Sequence, residues 1–112
     1  MFIYHITEKK TWQDALLKGV YIPNDFAKDG FIHCSLESQV LAVAEKYFKQ
    51  TPDLLLLKID THQVISPLVF ENLEGGDENY PHIYGALSLS AIVGYLPLSK
   101  DRNSCFFFPN FS

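Results

Sequence analysis

Apolar and polar positions alternate from the start of the chain: Ile3, His5 and Thr7 fall on one side of an extended segment, and Phe2, Tyr4 and Ile6 on the other. This predicts a first strand over residues 2–7. The period then lengthens. Trp12, Ala15 and Leu16 recur at i, i+3 and i+4, with Thr11 placed to cap and Gly19 to stop, so a short helix is expected through Lys18. Residues 20–22 read as a brief extended piece, residues 23–30 (PNDFAKDG) as a loop, and residues 31–34 as a second strand.

Further on, Val40, Leu41, Ala44, Tyr47 and Phe48 form an apolar stripe that predicts an amphipathic helix over 37–49, with Ser35 ahead of it as a candidate cap. Thr51-Pro52-Asp53 ends it. Residues 54–59 (LLLLKI) are apolar almost without alternation, the pattern of a central strand covered on both faces. Residues 68–71 read as another strand, and 72–80 (NLEGGDENY) as a polar surface loop around a Gly-Gly pair. Residues 91–96 and 105–108 are the last strand candidates, on either side of the turn-rich 99–104. Strands that follow one another without intervening helices give an α+β class, with two helices in the N-terminal half and five or six strands.

Composition narrows the picture. A chain of 112 residues that is 47% hydrophobic can bury one core, and without repeats or linkers residues 1–112 read as a single domain. No apolar run approaches the ~18 residues a bilayer span needs, and MFIYHITEKK lacks the basic start and apolar stretch of a signal peptide. A cytoplasmic chain without membrane contact is expected. The formal charge of -4, with acidic residues spread along the chain, argues against gripping nucleic-acid phosphates. Cys34 and Cys105 have no CxxC spacing and read as reduced thiols.

The candidate chemistry lies in the histidines. His5, His33 and His82 sit in IYHIT, FIHCS and PHIYG among apolar neighbours, whereas His62, in DTHQ, reads as a solvated turn residue. No HxH or HExxH pair joins any two of them, so no metal is expected, although ligands drawn from separate strands, including Glu71, keep a metal-dependent enzyme as an alternative. Cys34 would point away from His33 on the same strand, which disfavours a thiol nucleophile with an adjacent base. Ser35 serves equally as a helix cap or as the border of a ligand site. A neutral imidazole donates from one nitrogen and accepts at the other, so His5 and His33 on adjacent strands suit the orientation of a sugar hydroxyl or an amide.

IYHIT, Trp12 with Gly19 and Tyr21, GFIHCS followed by Gln39, DLLLLKID, Phe70-Glu71 and PHIYGAL come in one order that resembles the domain of unknown function family 952. The resemblance covers almost the whole chain, ending with Phe108-Pro109. Members of that family resemble ADP-ribosyltransferases in fold, which implies a split, strongly bent β-sheet core with a nicotinamide dinucleotide cleft between its halves. It also implies NAD or an ADP-ribose-containing nucleotide as the small-molecule ligand, with transfer or hydrolysis at the nicotinamide ribose. On that pattern His5 and Thr7 match the first motif, which holds the ribose and amide, and His33 and Ser35 match the second. Glu71 is one candidate for the third motif's glutamate, and His82 with Tyr84 in PHIYG is the other. The catalytic candidates are therefore Glu71 and His82, and the ligand-binding ones His5, Thr7, His33, Ser35 and Tyr84. A carboxylate there would stabilise the oxocarbenium-like charge that develops as the nicotinamide departs. A binding module that kept the cleft and lost the chemistry is the alternative, and the position of Glu71 relative to His5 and His33 discriminates between them.

Overall fold

A computed structural model describes residues 1–73 and 75–111 of the chain. Its elements in order are β1 (Phe2–Glu8), α1 (Lys9–Lys18), β2 (Val20–Tyr21), α2 (Phe26–Asp29), β3 (Ile32–His33), α3 (Val40–Tyr47), β4 (Leu54–Asp60), β5 (Leu68–Glu71), β6 (Tyr80–Ile83), β7 (Leu87–Ser88) and β8 (Ile92–Pro97). The class is α+β, as the sequence pattern predicts.

Strand β4 lies at the centre of a sheet ordered β1-β4-β8, antiparallel on both sides. Its register with β1 runs unbroken from Phe2 opposite Asp60 to Glu8 opposite Leu54. Both faces of this sheet are covered, which is why LLLLKI carries no alternation. Ile3, Leu55, Leu57 and Ile59 face a core shared with Trp12 and Ala15 of α1, and with Tyr21, Ile32 and Ile83. Tyr4, Ile6, Leu54 and Leu56 face a second core closed by Val40 and Ala44 of α3 and by Phe106.

A second sheet has the order β3-β6-β5, with His33 opposite His82 and Glu71 opposite Tyr80. It meets the first sheet at a single bridge, where Tyr4 N–H donates to Ser35 O at 2.8 Å and Ser35 N–H to Tyr4 O at 2.7 Å. Beyond that bridge the two strands diverge. The gap between them is the cavity described below.

Several local expectations are corrected. Helix α1 starts at Lys9 rather than behind a Thr11 cap, because Lys9 N–H is already taken by Asp53 O at the mouth of β4, at 2.8 Å. Its end is as predicted: Gly19 takes a left-handed φ of 80° and its N–H donates to Ala15 O. Within the expected loop 23–30 a one-turn helix, α2, forms and is closed in the same way by Gly30. The expected helix 37–49 splits into a 3-10 turn over Glu37–Gln39 and then α3. Ser35 is not its cap, since that position falls on Leu36, whose N–H donates to Gln39 Oε1 at 2.9 Å. Residues 105–108 do not form a strand. A single bridge joins Phe106 to Lys100, and the segment is held by packing, with Phe108 edge-on to Tyr4 at 5.2 Å between ring centres. The pair β2-β7 went unpredicted because two residues are too short to display a period.

Candidate functional site

The divergence of β1 and β3 opens a cavity of about 770 Å³. His5, Thr7 and Glu8 from β1, Asp25, Lys28 and Asp29 around α2, and Phe31, His33 and Ser35 around β3 line it. Tyr21, Lys46, Leu73 and His82 complete its walls. Five of the seven residues singled out from the sequence thus reach one cavity: His5, Thr7, His33, Ser35 and His82. Glu71 and Tyr84 stand behind it, on the far side of His82.

His5 is enclosed, 8% exposed, and both ring nitrogens are engaged by the protein. Nδ1–H donates to His33 O at 2.5 Å, since a carbonyl only accepts. This contact fills the carbonyl that the parting strands leave without a ladder partner. Burial lowers the His5 pKa to about 4, despite the opposing effect of that hydrogen bond, so the ring is neutral and Nε2 carries a lone pair. Nε2, 2.7 Å from the Tyr21 hydroxyl, therefore accepts the phenol proton. The contact of 2.8 Å between Tyr21 and Thr7 Oγ1 then runs from the threonine hydroxyl to the tyrosine oxygen. Burial likewise pushes the Tyr21 phenol upward and keeps it protonated. His5 is thus a buried strut that fixes Tyr21 and Thr7, and Thr7 is the end of the chain nearest a ligand.

His82 is built differently. Antiparallel pairing of β5 with β6 puts Glu71 opposite Tyr80, so His82 is its diagonal neighbour on the same face. His82 Nδ1–H donates to Glu71 Oε2 at 2.8 Å, and the Tyr84 hydroxyl donates to the same oxygen. These two bonds, the one from Tyr84 first, hold the Glu71 carboxyl below its ordinary value, and the same contact raises the Tyr84 phenol. Glu71 is ionised and points one imidazole. His82 is 5% exposed and stacks on Phe31 at 4.2 Å, and its Nε2, facing the cavity, has no hydrogen-bond partner among the described residues.

His33 is the exposed member, with 45% of its side chain accessible. Its Nε2–H donates to Asp29 Oδ2 at 2.9 Å, a carboxylate four residues earlier that α2 turns back toward it. The His33 and His82 rings are 5.5 Å apart, nearly perpendicular, with Phe31 packed against both. Ser35 is 5% exposed, and its hydroxyl is unpartnered among the described residues. Burial pushes the Cys34 thiol far up, which removes it as a nucleophile at neutral pH.

The three histidines do not gather their nitrogens into one ligand set. Among the described residues, the group whose donor atoms all lie within 4.8 Å of one another is Asp25, Asp29 and His33. Sequence reasoning missed both aspartates, although the i, i+4 spacing of Asp25, Asp29 and His33 in PNDFAKDGFIH was the available signal. It also missed Tyr21, visible only as the tyrosine of GVY, and Phe31 as the aromatic plate between the two imidazoles.

A profile of the family described as "Protein of unknown function (DUF952)" matches residues 6–95. The chain belongs to this family. It is also similar to the crystal structure of protein CC0527 from Caulobacter crescentus, with 28% sequence identity, a TM-score of 0.84, and coverage of 96% of this chain and 94% of that one. The solution NMR structure of CC0527 gives a TM-score of 0.80 at the same identity, over 93% and 90% of the two chains. No curated protein matches the chain. DUF952 membership thus accounts for the motif order from the first strand to β8, and the described residues contain no helix long and apolar enough to cross a membrane.

Proposed function

We propose that the cavity between β1, β3 and β6 binds NAD or an ADP-ribose-containing nucleotide, and that His82, pointed by Glu71, acts at the nicotinamide ribose. The observation that carries this reading is the unpartnered Nε2 of a buried histidine whose other nitrogen is held by an ionised carboxylate. Such a pair can accept a proton from water or from an acceptor hydroxyl attacking the ribose. The ADP-ribosyltransferase-like expectation is supported by two sheets that join at one bridge and part around a cleft. A cavity of about 770 Å³ is also within the usual range for a small-molecule or cofactor site. Thr7 and Ser35 would meet polar atoms of the ligand, with His5 holding the wall rather than touching it.

One observation favours a second reading. Glu71 is not among the residues that line the cavity, and so it does not itself face a developing oxocarbenium ion. On that ground the chain is a nucleotide-binding module without turnover. Titration calorimetry with NAD, ADP-ribose and nicotinamide, followed by an assay for released nicotinamide, decides between the two. Binding with release supports catalysis, and binding without release supports the module. No binding of any of the three, or unchanged NAD affinity in a His33→Ala, His82→Ala double variant, overturns the site.

A further inference from the structure

The cavity holds more proton-transfer machinery than NAD cleavage requires. His82 and His33 are each fixed at one nitrogen by a carboxylate, Glu71 at 2.8 Å and Asp29 at 2.9 Å, and neither has a partner at its second nitrogen among the described residues. They come from directly paired positions of adjacent strands, and their ring centres are 5.5 Å apart. Cleaving the nicotinamide bond of NAD calls for a base at most. The pyridinium nitrogen is positively charged before the bond breaks and leaves neutral, so no acid need protonate it. An oxygen-linked riboside is different, because its leaving oxygen departs as an alkoxide unless a general acid supplies a proton.

We propose that His33 and His82 are a general acid and general base, and that the substrate class extends to ADP-ribosyl groups joined through oxygen. This rests on the ADP-ribose reading of the cavity given above. The roles follow from the surroundings. Buried His82 keeps Nδ1–H on Glu71 and offers the Nε2 lone pair, whereas His33 lies at the solvent-exposed rim, where Asp29 stabilises an imidazolium that water can recharge. Water attacks C1 of the ribose and its proton passes to His82 Nε2. The C1–O bond breaks with its electron pair on the departing oxygen, and that oxygen takes the proton from His33 Nδ1. Water has then added across the bond, giving free ADP-ribose and the released hydroxyl, and proton exchange with solvent resets both rings.

The test compares NAD with a peptide carrying ADP-ribose on a serine oxygen, using wild type, His33→Gln and Asp29→Asn. Wild type should release ADP-ribose from the peptide. In His33→Gln the ratio of the peptide rate to the NAD rate should fall by about 100-fold or more, the usual contribution of a general acid. Asp29→Asn, which leaves the imidazole in place without its carboxylate, should lower the same ratio by a smaller factor. Thermal melting of each variant establishes that it is folded. A wild type that cleaves NAD but leaves the peptide intact overturns the proposal, as does a His33→Gln variant in which both rates fall by one factor. Cleavage of the peptide with NAD neither bound nor cleaved upholds the acid–base pair and overturns the nicotinamide reading.

Discussion

His5 makes a prediction whose size follows from where the ring sits. Its pKa falls from 6.5 in an exposed chain to about 4 in the fold, because burial penalises the imidazolium more than the His33 carbonyl supports it. A folded-state value below the unfolded one means that the unfolded chain binds the proton first as the solution is acidified. The neutral ring therefore contributes stability that is fully present above pH 6.5 and is lost as pH falls toward 4. Over that whole window the difference amounts to about 3.4 kcal/mol, and between pH 7 and pH 5 to about 2 kcal/mol. Urea unfolding at those two pH values measures it, once in wild type and once in His5→Gln, which has no proton to gain. Other titrating groups contribute to both proteins, so the difference of differences isolates His5. If His5→Gln loses as much stability as wild type on acidification, within about 0.5 kcal/mol, His5 is not a buried neutral strut and its chain to Thr7 is wrongly drawn.

Other predictions follow from single contacts. Tyr21→Phe removes the only donor placed on His5 Nε2 among the described residues and should destabilise the fold by about 1–3 kcal/mol in thermal melts, with the acid sensitivity of His5 altered as well. Glu71→Gln exchanges an ionised acceptor for an amide behind His82, so nicotinamide release should drop by roughly 10–100-fold while NAD affinity, measured by calorimetry, changes far less. Gly85→Ala would drive a Cβ to 2.2 Å from Ser66 Oγ and 2.7 Å from Ser66 Cβ, and should cost about 1–3 kcal/mol in urea melts.

Long elements were legible in the sequence because burial on one or both faces imposes a period that can be read. The alternation of β1 and the unbroken apolar run of β4 are the clearest cases, and each lies where predicted. Run length alone misled at residues 105–108, where consecutive phenylalanines resemble a buried strand but pack as side chains against Tyr4. The histidines were legible as a set because polar groups in apolar strands call for an explanation. Their separate duties were not, since these depend on which neighbour claims each nitrogen. Glu71 and the pair His82 with Tyr84 stand as rivals in the sequence. The register of β5 on β6 makes them one unit, and no local pattern encodes that register.

The bridge between Tyr4 and Ser35 gives the cleft a fulcrum. Two backbone hydrogen bonds anchor the point where the sheets part, and on the cleft side of it one imidazole, His5 on the His33 carbonyl, ties the two strands together. That tie can let go without breaking a ladder in either sheet. Swinging the imidazole aside would widen the aperture while the cores on both flanks stay packed, so the width of the opening is governed by a side-chain latch rather than by the unfolding of a strand.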